Sequence, residues 1–215
     1  MTKINYLKEI SDSKKPFIIY KSLKGFDLYT DFSKKIILNN KNIKNFINKT
    51  NKNKKKIKET DLYLGFFGYE VLNNLIGVKI KKQKGLKFPK GVFYKPETKV
   101  KFSNKLNFTS LKPIKSNKNF KINLTKSSYE NIFNKFKKKI KSGETYQIKI
   151  CTKYSNKTQI DALDFFSRLV KTNLAPEAFM IKDKDYSIIS CSPENLICKK
   201  NNSITTKPIA GTLKK

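Results

Sequence analysis

The chain alternates short apolar runs with long polar stretches rich in Lys and Asn. Phe17-Ile-Ile-Tyr20 predicts a strand, Gly25 a break, Phe26-Asp-Leu-Tyr29 a second strand and Lys35-Ile-Ile-Leu38 a third, ending at Asn39-Asn40. Ile43, Phe46 and Ile47 recur at helical spacing and predict a short helix, with Lys49 to Lys58 a solvated loop. Across 61–77 the pattern predicts a strand running into Gly65 and Gly68. A helix-like run follows, with Leu72, Leu75 and Ile76 facing inward and the glycines letting strand and helix pack closely. No Lys-Ser/Thr pair follows those glycines, which argues against a phosphate loop. Phe88 to Tyr94 and Lys99 to Phe102 predict strands on either side of a turn at Pro96, and 103–126 reads as a polar surface connection.

The second half is more regular. Ser127 and Glu130 have the spacing of a capping box, with Tyr129, Ile132, Phe133, Phe136 and Ile140 on one face of the helix that follows. Lys137 to Lys139 and Lys141 sit near its negative end, and Gly143 supplies a stop. Gly143 to Thr152 then predicts a strand with Tyr146, Ile148 and Ile150 on one side and Gln147 in a buried structural hydrogen bond. A helix over Asp161 to Lys171 offers Ala162, Phe165, Phe166, Leu169 and Val170 for packing, and Pro176 to Met180 leads into a strand at Tyr186 to Ile189. Ser192-Pro193 interrupts that strand, because proline cannot donate to a ladder. Leu196 to Cys198, a turn at Asn201-Asn202, and Ser203 to Lys207 predict a hairpin. Beyond it, Ala210-Gly211-Thr212 makes a small-residue bend that a ligand can approach closely, with an N–H beside a hydroxyl suited to a carboxylate. By spacing alone, an ordinary hairpin and turn account for the same residues.

Composition narrows the classes. A chain of 215 residues can form one domain with a real core, and 38% hydrophobic and 12% aromatic content argues against disorder. No apolar run is long enough to span a membrane, and the N-terminus lacks the apolar core of a signal peptide. Cys151, Cys191 and Cys198 lack metal-ligand spacing and there is no His, which argues against zinc and for a reduced cytoplasmic chain. The net charge of +32 would suit nucleic acid, but Arg168 is the single arginine and the lysines run along the whole length. A lysine-rich nucleic-acid-binding protein is therefore kept only as an alternative. The field would in any case steer an anionic substrate.

Three segments in order carry a resemblance: Gly65-Phe-Phe-Gly-Tyr-Glu70, Gly143-Glu-Thr-Tyr-Gln-Ile148, and Ser192-Pro-Glu194 followed by a hairpin and Lys207-Pro-Ile-Ala-Gly-Thr212. Together they resemble the chorismate-utilising enzyme family, which includes anthranilate synthase component I, aminodeoxychorismate synthase component I, and isochorismate and salicylate synthases. The resemblance covers most of the chain and is strongest from Ser127 to Thr212. It implies an α+β fold, an antiparallel β-sandwich with outer helices, present here incomplete. On that reading 1–215 is the N-terminal portion of a single chorismate-binding domain, with 1–126 an N-terminal region and 127–215 the start of the core.

The same resemblance assigns roles. Gly211 and Thr212 match the family's chorismate-contacting pair. Ala210 replaces the Lys of some relatives, which serves there as nucleophile or activates water; alanine can do neither, so direct attack by ammonia is expected. No catalytic residue and no metal ligand is expected within this chain. The Mg²⁺ that helps the hydroxyl depart would be held downstream of Lys215, and the chain alone is expected to be inactive. Chorismate and a glutamine amidotransferase subunit are the implied partners. Pro176, Glu177 and Ala178 stand where tryptophan-inhibited relatives carry Pro-Tyr-Met, and no Leu-Leu-Glu-Ser segment occurs upstream, so tryptophan feedback is not expected. The resulting expectation is the large subunit of anthranilate synthase as a truncated chain. The alternative is aminodeoxychorismate synthase component I, to which Gly-Glu-Thr-Tyr-Gln and Ala175-Pro-Glu-Ala-Phe look closer.

Overall fold

A computed structural model describes residues 3–50, 58–71, 75–77, 88–103, 119–157, 159–173, 175–200 and 202–209. The chain divides into two compact units, Met1–Ser110 with Ala162–Lys215, and Leu111–Asp161.

The first unit is built on a six-stranded sheet in the order β3-β4-β2-β1-β7-β8, every pairing antiparallel. Its strands are β1 (Phe17–Ser22), β2 (Gly25–Ile37), β3 (Leu64–Phe67), β4 (Gly91–Phe102), β7 (Glu177–Lys182) and β8 (Ser187–Ser192). Around it lie α1 (Lys3–Asp12), α2 (Ile43–Thr50) and α4 (Ala162–Thr172), with a two-stranded hairpin of β9 (Cys198–Lys200) and β10 (Ser203–Thr205). The fold is α+β with an antiparallel, curled sheet.

Period-two alternation sorts the strand residues onto two faces. On one face Ile19 lies opposite Leu28 and Met180, all buried. There α4 packs with Leu163, Phe166 and Val170 buried, and Phe166 meets Phe26 edge-to-face at 6.1 Å. Of the residues expected to pack from this helix, Phe166 and Val170 do so, whereas Phe165 is exposed. A second cluster joins α2 to the sheet through Ile43, Phe46, Leu38, Phe93 and Val71.

On the opposite face Ile18 lies between Tyr29 and Ile181 and packs with Val92 and Tyr94. Tyr186, in the β7–β8 turn, meets Phe88 at 4.9 Å and Phe66 of β3 at 6.3 Å. In strand order β3 and the β7–β8 hairpin lie at opposite ends of the sheet, so this contact requires the sheet to curl, and the curl encloses the Ile18 cluster.

The curl has a local cause. The second and third predicted strands are one strand, β2, and the two segments flanking Pro96 are one strand, β4. Their register steps by one between Phe32 and Lys34, and Asp31 has φ 52, so the pair bends instead of breaking. Pro96 is buried inside β4 opposite Phe32, at the irregular stretch where its missing N–H costs least. Gly65 lies within β3, where a Cβ would come within 1.9 Å of the Val92 carbonyl; it serves strand–strand contact, not the expected strand–helix packing. The expected inward face after it is not formed at Leu75 and Ile76, which are exposed, and Leu72 lies outside the described residues.

The second unit holds α3 (Lys126–Lys141) and a two-residue pairing of β5 (Lys121–Ile122) with β6 (Tyr154–Ser155). The N-cap is Thr125, whose Oγ accepts from the Ser128 N–H at 3.2 Å, so the cap lies two residues before the expected Ser127. At the other end Gly143 has φ 76, and its N–H and that of Glu144 reach the Ile140 and Lys139 carbonyls, completing a Schellman motif. The strand expected over Gly143 to Thr152 is absent. Residues 146–152 join no ladder, Tyr146 is 91% exposed, and Gln147 is exposed instead of buried. Among the described residues no helix is long and apolar enough to cross a membrane.

Candidate functional site

The motif segment begins where β8 ends. Ser192 Oγ accepts the Glu194 N–H at 3.3 Å and donates to the Glu194 carbonyl at 2.9 Å, closing a turn around Pro193. From that turn Glu194 reaches across the β9–β10 hairpin, and its Oε1 accepts the Ile209 N–H at 3.2 Å. Thr206 Oγ adds a 2.9 Å bond to the Leu196 carbonyl. The hairpin pairs Ser203 with Lys200 and Thr205 with Cys198, close to the bounds expected. Two motifs fifteen residues apart are thus tied by one carboxylate, one residue before Ala210. Ala210, Gly211 and Thr212 themselves lie outside the described residues.

Pro176, Glu177 and Ala178 are placed at the start of β7. Ala178 is fully buried against β8 opposite Cys191, leaving no room for a ligand at its side chain. Glu177 is half-buried and doubly engaged: Oε2 accepts from the Tyr20 hydroxyl at 2.5 Å, and Oε1 accepts from Asn195 Nδ2 at 3.1 Å. It therefore clasps β1, β7 and the Ser-Pro-Glu-Asn turn. Burial, and then the Glu177 carboxylate, push the Tyr20 hydroxyl well above the usual tyrosine range. Nothing local in the sequence marks Tyr20, which lies 157 positions from its partner.

A second polar cluster sits on the enclosed face of the curl. Asp183 accepts from Lys35 Nζ at 2.5 Å, from the Tyr94 hydroxyl, and from the Lys184 N–H at 2.7 Å. Burial alone would raise the Asp183 carboxyl; the three donors outweigh it and hold the group below the usual carboxylate range. Burial, then the bond to Asp183, drives Tyr94 far upward, and burial carries Tyr186 up to about 12. Further along, Lys99 bridges Asp27 at 2.9 Å and Glu59 at 3.3 Å above the Tyr29 ring. Burial opposes the Lys99 charge, but the bond to Asp27 prevails and its pKa rises.

These shifts share one direction. A general acid or base works best with a pKa near the operating pH. Here the tyrosines and Lys99 move up and the shifted carboxylates down, each deeper into its resting charge state. The clusters are latches that hold strands together. Nor do any three Cys, Asp or Glu side chains among the described residues converge to hold a metal ion, so the donors described do not fit Mg²⁺. A cleft of about 460 Å³ between α1 and β2, lined by Tyr6, Glu9, Ile10, Lys15, Thr30 and Phe32 among others, shares no residue with the motif segment.

Comparison with known proteins bears on the same segments. The chain is 37% identical over 105 residues to anthranilate synthase component 1 of Saccharomyces cerevisiae, covering 48% of this chain and 20% of the relative. It is 26% identical over 175 residues to an anthranilate synthase component I-like protein of Synechocystis, covering 70% and 36%. It is 33% identical over 91 residues to aminodeoxychorismate synthase component 1 of Salmonella typhimurium, covering 42% and 20%. The matched stretches thus span only about a fifth to a third of these curated relatives. The family model described as chorismate binding enzyme matches residues 10–215. A match over nearly the whole chain shows its family: this chain belongs to the chorismate binding enzyme family.

Proposed function

We propose that this chain is the N-terminal part of the large subunit of an anthranilate synthase, with chorismate bound against the Gly211-Thr212 bend. The observation that carries the proposal is the Glu194 carboxylate accepting from the Ile209 N–H, which fixes the backbone two residues before Gly211 in a member of the family. If the small residues after that anchor turn as their sequence predicts, they would be suited to take a ring carboxylate on backbone N–H groups and the Thr212 hydroxyl. Ala210 supplies no nucleophilic atom, so ammonia would attack C2 directly, the 4-hydroxyl would leave, and pyruvate would then be eliminated. Ammonia would come from a glutamine amidotransferase subunit. Mg²⁺ would ease departure of the hydroxyl by stabilising its negative charge, and no ligand for it is assigned among the described residues. In this proposal the curled sheet is one wall of a β-sandwich, and 1–126 and 127–215 are successive parts of one chorismate-binding domain.

Relatives of both names match at similar identity, so aminodeoxychorismate synthase is the second reading. The test is to incubate the chain with chorismate, ammonia and Mg²⁺, alone and co-expressed with the C-terminal half of the yeast relative, following anthranilate fluorescence and aminodeoxychorismate by chromatography. No turnover alone and anthranilate from the pair is the expected result. Aminodeoxychorismate from the pair selects the second reading. Product from the chain alone overturns the claim that the site is incomplete.

A further inference from the structure

The hairpin of β9 and β10 is exposed at every residue, so burial does little to hold it against the six-stranded sheet. Polar contacts place it instead, and they converge on the consecutive residues Glu194, Asn195 and Leu196. Glu194 Oε1 accepts the Ile209 N–H at 3.2 Å, and the Leu196 carbonyl accepts from Thr206 Oγ at 2.9 Å. Both bonds hold the chain leaving the hairpin. Asn195, between them, is half-buried and engages the sheet: its Nδ2 donates to Glu177 Oε1 of β7 at 3.1 Å. Glu177 is fixed in turn by the Tyr20 hydroxyl of β1, which donates to its other oxygen. A continuous path therefore runs from β1 and β7, through Asn195 and its neighbour Glu194, to the backbone that enters Ala210-Gly211-Thr212.

We infer that Glu177 and Asn195 are positioning residues for chorismate: they set where Ile209 stands, and so where the small-residue segment after it begins. The inference rests on the reading of Gly211 and Thr212 as the chorismate-contacting pair, but not on which product is made. The Glu194–Ile209 bond is exposed. Water competes for both of its groups, and a long side chain must be ordered to make it. Such a bond persists where the backbone that carries the carboxylate is already fixed. Ser192 Oγ fixes the inside of the turn, accepting the Glu194 N–H and donating to the Glu194 carbonyl, but it does not tie the turn to β7. Asn195 supplies that tie through a charge-assisted bond, to a carboxylate whose second oxygen is already held. With Ala178 buried and both oxygens of Glu177 engaged, the start of β7 acts as a clamp on the hairpin's exit and not as a receptor for a ligand of its own.

The experiment measures amide exchange at Ile209 by nuclear magnetic resonance in the full chain and its variants. Asn195→Asp sets a second carboxylate against Glu177, and Asn195→Ala removes the donor without adding charge. Either should speed exchange at Ile209 by about tenfold. In the double variant Glu177→Gln with Asn195→Asp, donor and acceptor change places, because the new amide donates to the new carboxylate. Exchange should then return to within about twofold of wild type. Tyr20→Phe also takes a bond from Glu177 but leaves Asn195 held, so it should lower stability and leave Ile209 exchange unchanged. A clasp that only stabilises the fold would not separate Tyr20→Phe from the Asn195 variants. Unchanged exchange in both Asn195 variants, equal acceleration in Tyr20→Phe, or a double variant no slower than Asn195→Asp would each overturn the inference. Chorismate titrated into the same proteins, followed through the Thr206 and Ile209 amide shifts, should bind the two Asn195 single variants more weakly than wild type and Tyr20→Phe. Equal affinity in all of them would overturn the inference as well. No binding by wild type would count instead against Gly211 and Thr212 as chorismate contacts, with the exchange rates still deciding whether Glu177 and Asn195 place Ile209.

Discussion

At the residue scale the firmest statements concern Asp183. Its carboxylate takes an ammonium, a phenol and a backbone N–H in one buried place. Removing the charge leaves Lys35 without its partner, and Asp183→Asn should cost about 1–3 kcal/mol, read from urea denaturation at neutral pH. The pH dependence has a definite sign. The folded-state pKa is lowered, so the unfolded chain binds the proton more readily. The stabilisation is complete above the unfolded carboxylate value, near 4, and is lost as pH falls from there through the folded value. Wild type should therefore show an acid-side loss of stability that the Asn variant lacks; parallel acid limbs would contradict the assignment. Tyr20→Phe removes one of the two donors to Glu177 and should cost about 1 kcal/mol, because Asn195 still holds the other oxygen.

At the scale of elements, α3 separates sequence spacing from the cap that forms. Ser127-x-x-Glu130 has the capping-box pattern, but Thr125 two residues earlier makes the bond. Thr125→Ala should loosen the first turn by about 0.5–2 kcal/mol, seen as faster amide exchange near Ser128, whereas Ser127→Ala should change little. An equal effect of both would mean that the two caps share the helix start. The helices α2, α3 and α4, the β1 and β8 strands and the closing hairpin were legible because each is set by local periodicity and punctuation, whereas α1 and β7 were not anticipated. The joining of four predicted strands into β2 and β4 was not, because the Pro96 turn and the gap between Tyr29 and Lys35 separate the predicted strands until a long-range pairing shows them as bends. Gly143 to Thr152 is the converse case. Its alternation is correct for a strand, but a strand is a property of a pair, and no partner is described here. The Ser-Pro-Glu turn was visible as a motif, while its reach to Ile209 and the Tyr20–Glu177 clasp are tertiary contacts that no local window contains.

At the scale of the molecule, charge is the dominant unbalanced quantity. Sixteen acidic residues face 48 basic ones, so even with every carboxylate paired, two-thirds of the positive side chains would lack an acidic partner. The pairs seen at the surface, Lys101–Glu59 and Lys139–Glu144, are exposed and contribute little. A sheltered pair such as Lys99–Asp27 is poorly screened and should be nearly indifferent to salt. Folding gathers the uncompensated lysines into a smaller volume, and that repulsion opposes the compact state. Screening should relieve it: at about 0.05 M salt the Debye length exceeds 10 Å and reaches between neighbouring lysines, while near 0.5 M it is only about 4 Å. The melting temperature of the chain should therefore rise by several degrees between those concentrations of sodium chloride, with most of the gain at the low end. A chain stabilised mainly by surface ion pairs would do the reverse, and a falling melting temperature would show that the few carboxylates outweigh the lysine excess. The same series run on Asp27→Asn separates the two contributions, because a screened, surface-wide repulsion predicts the same salt increment in both proteins, so that the stability difference due to the sheltered Lys99–Asp27 pair stays constant.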